Sequence, residues 1–406
     1  MLWGRWDDQP EAEQIEALMA PLLEVAERDG DDPEELAEQV MAGVIADLSA
    51  ALTSTLQLAL PSMAAQHRRF GRKFESRLDW VWGDALDRVY AVLVSCQELG
   101  ESFNAWHRPA AAEEVDHRFE ALVTLHARAC MVAGEMHALL RTGHALGATA
   151  RWRTLHEIAV VASVLGDADD DLSRRYLVHS AAEEYEDALL HEFHRGEADR
   201  EPWPPDELAR LGTVHSAAIE EFGRRFPKAW MWAAPLTSPA PPTFARLQEL
   251  AGLAHRAPDF RRSSHLLHGG SRGTSFVHIE MDGGPALLAG PSNVGLATPA
   301  HGAAISLVQV TMALITRARP YDYGPMVPAT GQTLLALTES AGESLLEAAA
   351  MLEGLQEDAL RAEAGTTVDR LVNNQRRRYR RTKWRIARRT RPLRHTLGRR
   401  LNRSSQ

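Results

Sequence analysis

The sequence predicts an all-α protein, a bundle of long helices interrupted by one glycine-rich segment. Apolar residues recur at steps of three and four over most of the chain, which is the period of an amphipathic helix. Prolines and short acidic turn sequences separate these periodic stretches. Residues 269–298 differ, since they contain seven glycines and no helical period.

The first third of the chain is predicted to form helices separated by turns. Amphipathic patterns predict helices over residues 11–28, 33–59, 73–98 and 112–143. The sequence GDDP (30–33) supplies turn and cap residues between the first two helices, and Pro109 marks a connection before the fourth.

The central part is predicted to hold the most buried helix. Residues 148–165 are apolar on all sides from Ile158 onward, as expected of a helix inside a bundle. The acidic run 167–171 ends this helix and caps the next, and WPP (203–205) opens another. Further predicted elements are a helix over 172–195, a proline-rich loop over 233–242, a helix over 243–256, and a short helix ending near 267.

The last third combines a turn signal with two more helices. The sequence FVHIEM–DG–GPALLAG predicts a small hairpin around Asp282–Gly283. Helices are predicted over 300–318 and 331–360. The predicted domains are an N-terminal helical region (1–108), a helical core (109–320), C-terminal helices (321–370) and a basic, partly disordered tail (371–406).

Composition and charge favour a cytoplasmic protein with one basic end. The first residues lack the basic and apolar regions of a signal peptide, and the longest apolar run (303–315) is too short to span a bilayer. The two cysteines show no metal or redox spacing. Residues 376–403 carry thirteen Arg, one Lys and no acid, a charge of +14. Because the whole chain has a net charge of −10, the rest of it carries about −24.

Arg153 and Glu157 are the first candidate functional pair. They lie four residues apart and therefore on one face of the apolar helix, where Glu157 needs a partner. Arg153 is the nearest candidate, and Arg174 or Arg175 on the next helix are alternatives. The pair either fixes two helices together or lines a polar cavity.

Arg262 and His268 form the second candidate pair, near the end of the short helix before Gly269–Gly270. They lie six residues apart and therefore on a similar side of a helix. A cationic side chain there can also be favoured simply because it complements the helix terminus. His265, His268 and His278 are an alternative metal-ligand set, but their spacing matches no known kind of site, so no metal or cofactor is predicted.

Several short motifs resemble a family of bacterial helical proteins known only as a domain of unknown function. They are ARWRTLHEIAVVASVL, RRYLVH, FRRSSHLLHGGSRG and AGPSNVGLATPAHGAAISLVQVTMALI, and the resemblance covers roughly residues 115–320. Its R-x3-E motif corresponds to Arg153 and Glu157, and its aromatic, serine and histidine correspond to Phe260, Ser264 and His268. The resemblance implies an all-α fold and no particular activity.

The spacing from Arg262 to His268 also resembles the R-x4–6-H signature of HEPN domains, which are helical ribonucleases of toxin and phage-defence systems. This resemblance implies metal-independent RNA cleavage at a site built across a homodimer. A neutral histidine can act as the base on the 2′-hydroxyl, and an arginine can bind the phosphate. The resemblance assigns these roles to His268 and Arg262, with Arg153 and Glu157 as further site residues. The rival hypothesis is a non-catalytic scaffold in which the four side chains fix the fold.

The basic tail predicts nucleic-acid binding, with RNA favoured over DNA. Arginines for phosphate contacts are interleaved with aromatic rings that can stack on bases. An anionic membrane and a solvated tail that folds back on the acidic body remain alternatives. The predicted nucleic-acid-binding residues are Arg376, Arg377, Arg378, Tyr379, Arg380, Arg381, Lys383, Trp384, Arg385, Arg388 and Arg389.

Overall fold

The computed structural model describes residues 33–197, 199–281, 284–317 and 325–363. Its chain divides into two units, residues 1–74 and 75–406. Within the described ranges there are eleven α-helices, three short 3₁₀ turns and one two-stranded hairpin. The predicted all-α class is therefore confirmed. Residues 1–32 and the tail 371–406 lie outside the described ranges.

Helix α1 runs without interruption over Pro33–Glu114. The prediction of separate helices over 33–59 and 73–98 and of a connection at Pro109 was therefore wrong. Pro61 and Pro109 each remove one backbone hydrogen bond, but helix-forming residues flank both of them and the helix continues past them. The helix ends where Val115 adopts a left-handed φ of 54° and Asp116 caps the next helix.

Helices α2 and α4 each begin at an aspartate cap, and α3 lies between them. The three helices span His117–Arg141, Ala145–Asp167 and Asp170–His194. Asp116 and Asp169 each accept a hydrogen bond from a backbone N–H of the following helix, at Phe119 and Leu172. The predicted break at 167–171 is confirmed, whereas the predicted start of α2 at residue 112 was five residues too early.

The next segment is a series of short elements that cover one side of α3 and α4. Helix α5 spans Pro205–Phe222, α6 Ala234–Thr237, α7 Phe244–Leu250, α8 Ala257–His265 and α9 Ser271–Thr274. The 3₁₀ turns span Met231–Ala233, Ala254–Arg256 and Ser275–Val277. Helices α7 and α8 pack on α3, and α5 packs on α4.

The predicted hairpin is confirmed. Strand β1 (His278–Met281) pairs antiparallel with β2 (Gly284–Leu287), with Met281 opposite Gly284. Asp282 and Gly283, the residues of the predicted DG turn, lie outside the described residues.

The core of the second unit is built around α10 (Ala297–Arg317), which packs against α2, α3 and α11 (Met326–Glu363). Its apolar window is 94% buried, so its length and hydropathy reflect a core helix. Trp152 of α3 lies against α10, where its indole N–H donates to Ser306 Oγ at 3.2 Å. A Cβ on Gly302 would come within 3.0 Å of that indole, so the glycine allows the close approach.

Candidate functional site

Arg153 and Glu157 form the predicted pair on α3. Arg153 Nη1 donates to Glu157 Oε2 at 2.9 Å. Their side chains are 27% and 22% exposed, so the pair is half-buried at the edge of the core. The alternative partners lie elsewhere: Arg174 pairs with Glu221, and Arg175 donates to the backbone carbonyl of Trp232. The i, i+4 spacing therefore identified the right partner.

Helix α8 supplies the other contacts of Arg153. Arg153 Nε donates to Ser264 Oγ at 3.0 Å, and its guanidinium lies over the Phe260 ring at 4.7 Å from the centroid. Ser264 Oγ in turn donates to the carbonyl of Phe260 at 2.9 Å. One guanidinium thus joins a carboxylate on α3 to a hydroxyl and an aromatic face on α8.

The position of Glu157 is unfavourable for the charged form of its carboxyl group. Burial raises its pKa above the ordinary value, and the charge and hydrogen bond of Arg153 only partly oppose the effect. The folded protein therefore favours the protonated form of this carboxyl group more than water does. A raised pKa is a feature of many catalytic carboxyl groups, but the hydrogen bond of Glu157 to Arg153 also suits a structural role.

A buried polar layer lies next to this pair. His156 Nε2 lies 3.0 Å from the amide nitrogen of Gln248, so the amide donates to an unprotonated imidazole nitrogen. Burial, and then the charge of Arg256, hold the pKa of His156 well below its ordinary value. The Arg256 guanidinium lies 4.9 Å from the centroid of Trp152. His156 is thus a neutral core histidine that fixes α7 to α3.

Arg262 and His268 lie on the exposed side of the same region. Both side chains are exposed, and the Arg262 guanidinium lies 5.4 Å from the centroid of the Phe276 ring. Helix α8 ends at His265, so His268 follows the helix rather than lying on its last turn. The expectation that both residues lie on one helix therefore does not hold, because the helix ends three residues before His268.

The segment after α8 folds closely onto the helix end. A Cβ on Gly273 would clash with the carbonyl oxygen of His265 and would lie 2.7 Å from that of His268. Only a glycine permits this approach. It brings α9 beside the end of α8, where Arg261 and Arg272 are also exposed. We call the exposed residues Arg261, Arg262, His268 and Arg272 the cationic segment.

The structure joins the Arg153–Glu157 pair to two of the three residues that the family resemblance marks near the end of α8. Arg153 and Glu157 meet Phe260 and Ser264 in one cluster, whereas His268 lies beyond it on the surface. Gln248 and Arg256 were missed, since a lone amide and a lone arginine give no pattern in a sequence. A shared groove between the two pairs stays a prediction.

The remaining predicted site features concern metals and the tail. Over the described ranges no group of three or more His, Cys, Asp or Glu side chains could hold a metal ion. The eleven predicted nucleic-acid-binding residues between Arg376 and Arg389 lie outside the described residues.

Residues 119–285 match a family of unknown function, DUF5677. The match begins in α2 and ends in β2, so it includes both halves of the Arg153 cluster and the cationic segment. The predicted resemblance to an uncharacterised family is confirmed over these residues, and the predicted closing motif at 289–315 lies beyond the match. No curated protein and no solved structure matches the chain. The matched segment contains both the internally paired Arg153 cluster and the exposed cationic segment.

Proposed function

We propose that the protein is an RNA-directed effector that binds RNA at the cationic segment and cleaves it there without a metal ion, in the HEPN manner. The observation that carries the proposal is the joint exposure of Arg262 and His268 on one compact segment. A phosphate group could reach both side chains there, as it could not reach a buried pair.

In this proposal the two exposed residues have different roles. Arg262 would bind the phosphate through its planar, charged fork and stabilise the charge that develops there. His268 would accept the proton of the 2′-hydroxyl, which then attacks the phosphorus. The 5′-oxygen leaves and takes up a proton from solvent, so no metal ion is required.

Arg153 and Glu157 would act as positioning residues. Arg153 already contacts Glu157, Ser264 and Phe260, and these contacts fix α8 against α3. Because Phe260 and Ser264 are on the helix that carries Arg262, the pair would hold the cationic segment in place.

The basic tail would add sequence-independent affinity for RNA. Its fourteen cations between residues 376 and 403 would release counterions from the phosphate backbone, so binding would weaken steeply with salt. The aromatic side chains of Tyr379 and Trp384 would stack on unpaired bases.

A non-catalytic helical scaffold is a second candidate function. The observation that favours it is that Arg153 is satisfied inside the protein, by a carboxylate, a hydroxyl and an aromatic ring. A network of this kind can stabilise the fold without taking part in any reaction.

Two substitutions with a matched control separate the candidates. Arg262→Ala and His268→Ala should each abolish cleavage of single-stranded RNA, while the melting temperature stays close to that of the wild type, since both side chains are exposed. Arg224→Ala removes an exposed arginine outside the cationic segment and should leave cleavage intact. Wild-type protein that never cleaves RNA, or variants that lose stability without any change in activity, would instead support the scaffold.

A further inference from the structure

Helix α1 carries an apolar stripe on its N-terminal part that nothing in the described residues covers. The stripe consists of Met41, Ile45, Leu48, Leu52, Met63 and Phe70, all of them exposed. Ile45, Leu48 and Phe70 each expose more than half of their surface, at 59%, 58% and 63%. At about 100° per residue the six side chains fall within about 60° of one another around the helix.

An uncovered stripe of this length is unfavourable for an isolated helix. Each large apolar side chain contributes about 1.5–3 kcal/mol when it is buried. Residues 1–74 form a unit of their own, and within the described residues of that unit the stripe side chains are exposed. A single helix in water also gains little stability of its own. The stripe therefore needs a partner.

We propose that residues 38–73 of α1 pair antiparallel with the same segment of a second copy of this chain. Two pairs of apolar positions are related by symmetry about residue 54. Antiparallel pairing about this point places Ile45 opposite Met63, and Leu52 opposite Leu56 at the edge of the stripe. The proposal is independent of the RNA-directed function.

Charge selects the antiparallel orientation. Residues 31–38 contain five acids and no basic residue, and residues 67–73 contain three Arg and one Lys and no acid. Between them, residues 39–66 contain a single charged side chain, that of Asp47. An antiparallel pair brings the acidic end of one copy to the basic end of the other, whereas a parallel pair would place like charges together.

A lipid bilayer is the main rival partner, because the helix from Met41 onward includes a window long and apolar enough to span a membrane. However, Asp47 and Gln57 lie on the side opposite the stripe, about 140° away from its centre. A spanning helix would carry both into hydrocarbon, where polar side chains are costly. Pairing of two copies buries the stripe and leaves both in water.

Cysteine cross-linking of the full chain tests the pairing and its direction together. The double variant Ile45→Cys/Met63→Cys should form disulfide-linked dimers on mild oxidation, and each single variant should not, because identical positions lie about 27 Å apart in the antiparallel pair. The wild type, with buried Cys96 and half-buried Cys130, measures the background. Cross-linking of either single variant would instead show a parallel pair and overturn the proposal.

Sedimentation analysis supplies an independent readout. Leu52→Glu should raise the dissociation constant of the dimer roughly tenfold or more, since a charge enters the paired face. Ala50→Glu places the same charge on the opposite, exposed side of α1 and should leave the dimer unchanged. Equal effects of the two variants would count against the stripe.

Two further outcomes would overturn the proposal in identifiable ways. A wild-type monomer that binds phosphatidylcholine vesicles, with binding lost in Leu52→Glu, would assign the stripe to a membrane. A wild-type monomer that self-associates only after residues 1–32 are removed would assign it to the chain's own N-terminal segment, which has an apolar pattern over 11–28.

Discussion

The ion pair that holds α8 against α3 permits a quantitative test. Glu157→Ala removes the carboxylate that accepts from Arg153 Nη1 at 2.9 Å. It leaves the Arg153 contacts with Ser264 and Phe260 in place. The guanidinium is therefore not stranded by the substitution.

The magnitude follows from the burial of the pair. Breaking a fully buried ion pair costs about 3–5 kcal/mol, and breaking an exposed pair costs up to about 1 kcal/mol. The Arg153 and Glu157 side chains are 27% and 22% exposed, and Arg153 keeps two other partners. We therefore expect Glu157→Ala to lower the free energy of unfolding by about 1–2 kcal/mol.

Glu157→Gln should behave differently. The raised pKa of Glu157 means that the fold favours the uncharged carboxyl group over the carboxylate, relative to the unfolded chain. Glutamine is uncharged and keeps an oxygen that can accept from Arg153, so it should change the free energy of unfolding by less than about 0.5 kcal/mol at neutral pH. As the pH falls through the folded pKa toward 4.5, the wild type should gain stability relative to the Gln variant.

Urea unfolding followed by circular dichroism measures all three proteins. The reasoning is refuted if Ala and Gln are equally destabilising, because the charge itself would then be essential. It is also refuted if Glu157→Ala costs less than about 0.5 kcal/mol, the usual surface value.

Three other predictions concern the tail, a buried histidine and the close glycine. Deleting residues 371–406 should leave urea unfolding unchanged but weaken retention on heparin and RNA and flatten its salt dependence; equal retention would contradict the proposed role of the tail. Burial lowers the pKa of His126 from 6.5 to about 4, so the unfolded chain binds more protons than the folded chain between these pH values. Acidification from pH 6.5 to 4 should therefore lower the free energy of unfolding by about 3 kcal/mol, and His126→Gln should reduce this loss. Gly273→Ala should displace α9 from the end of α8 and weaken RNA binding by the tail-deleted protein, while Gly269→Ala, which meets no atom within 4 Å, should not.

The fold was largely predictable because its local signals are strong. The acidic run before α4 caps that helix through the side chain of Asp169. The DG sequence between two alternating apolar runs correctly predicted the pairing of β1 with β2. The single helix α1 was not predicted, because a proline signals a break only where the surrounding residues also stop favouring the helix.

The candidate site was predictable only where its partners are close in sequence. Arg153 and Glu157 lie four residues apart, and helical geometry brings them together. Ser264 lies 111 residues from Arg153, and the sequence alone offers no rule that pairs them. The position of His268 depended on where α8 ends, and helix ends are set by local capping that a run of polar residues leaves undetermined.

The central place of α10 has a consequence for synthesis of the chain. Helices α2 and α3 pack on α10, yet Ala297, where α10 begins, follows the end of α3 at Asp167 by 130 residues. A ribosome therefore releases two helices long before their main apolar partner exists. A fragment that ends at residue 285, where the family match ends, would lack α10 altogether and would leave the same apolar surface exposed. The nascent chain must keep an apolar surface out of contact with other chains until residue 317 has emerged.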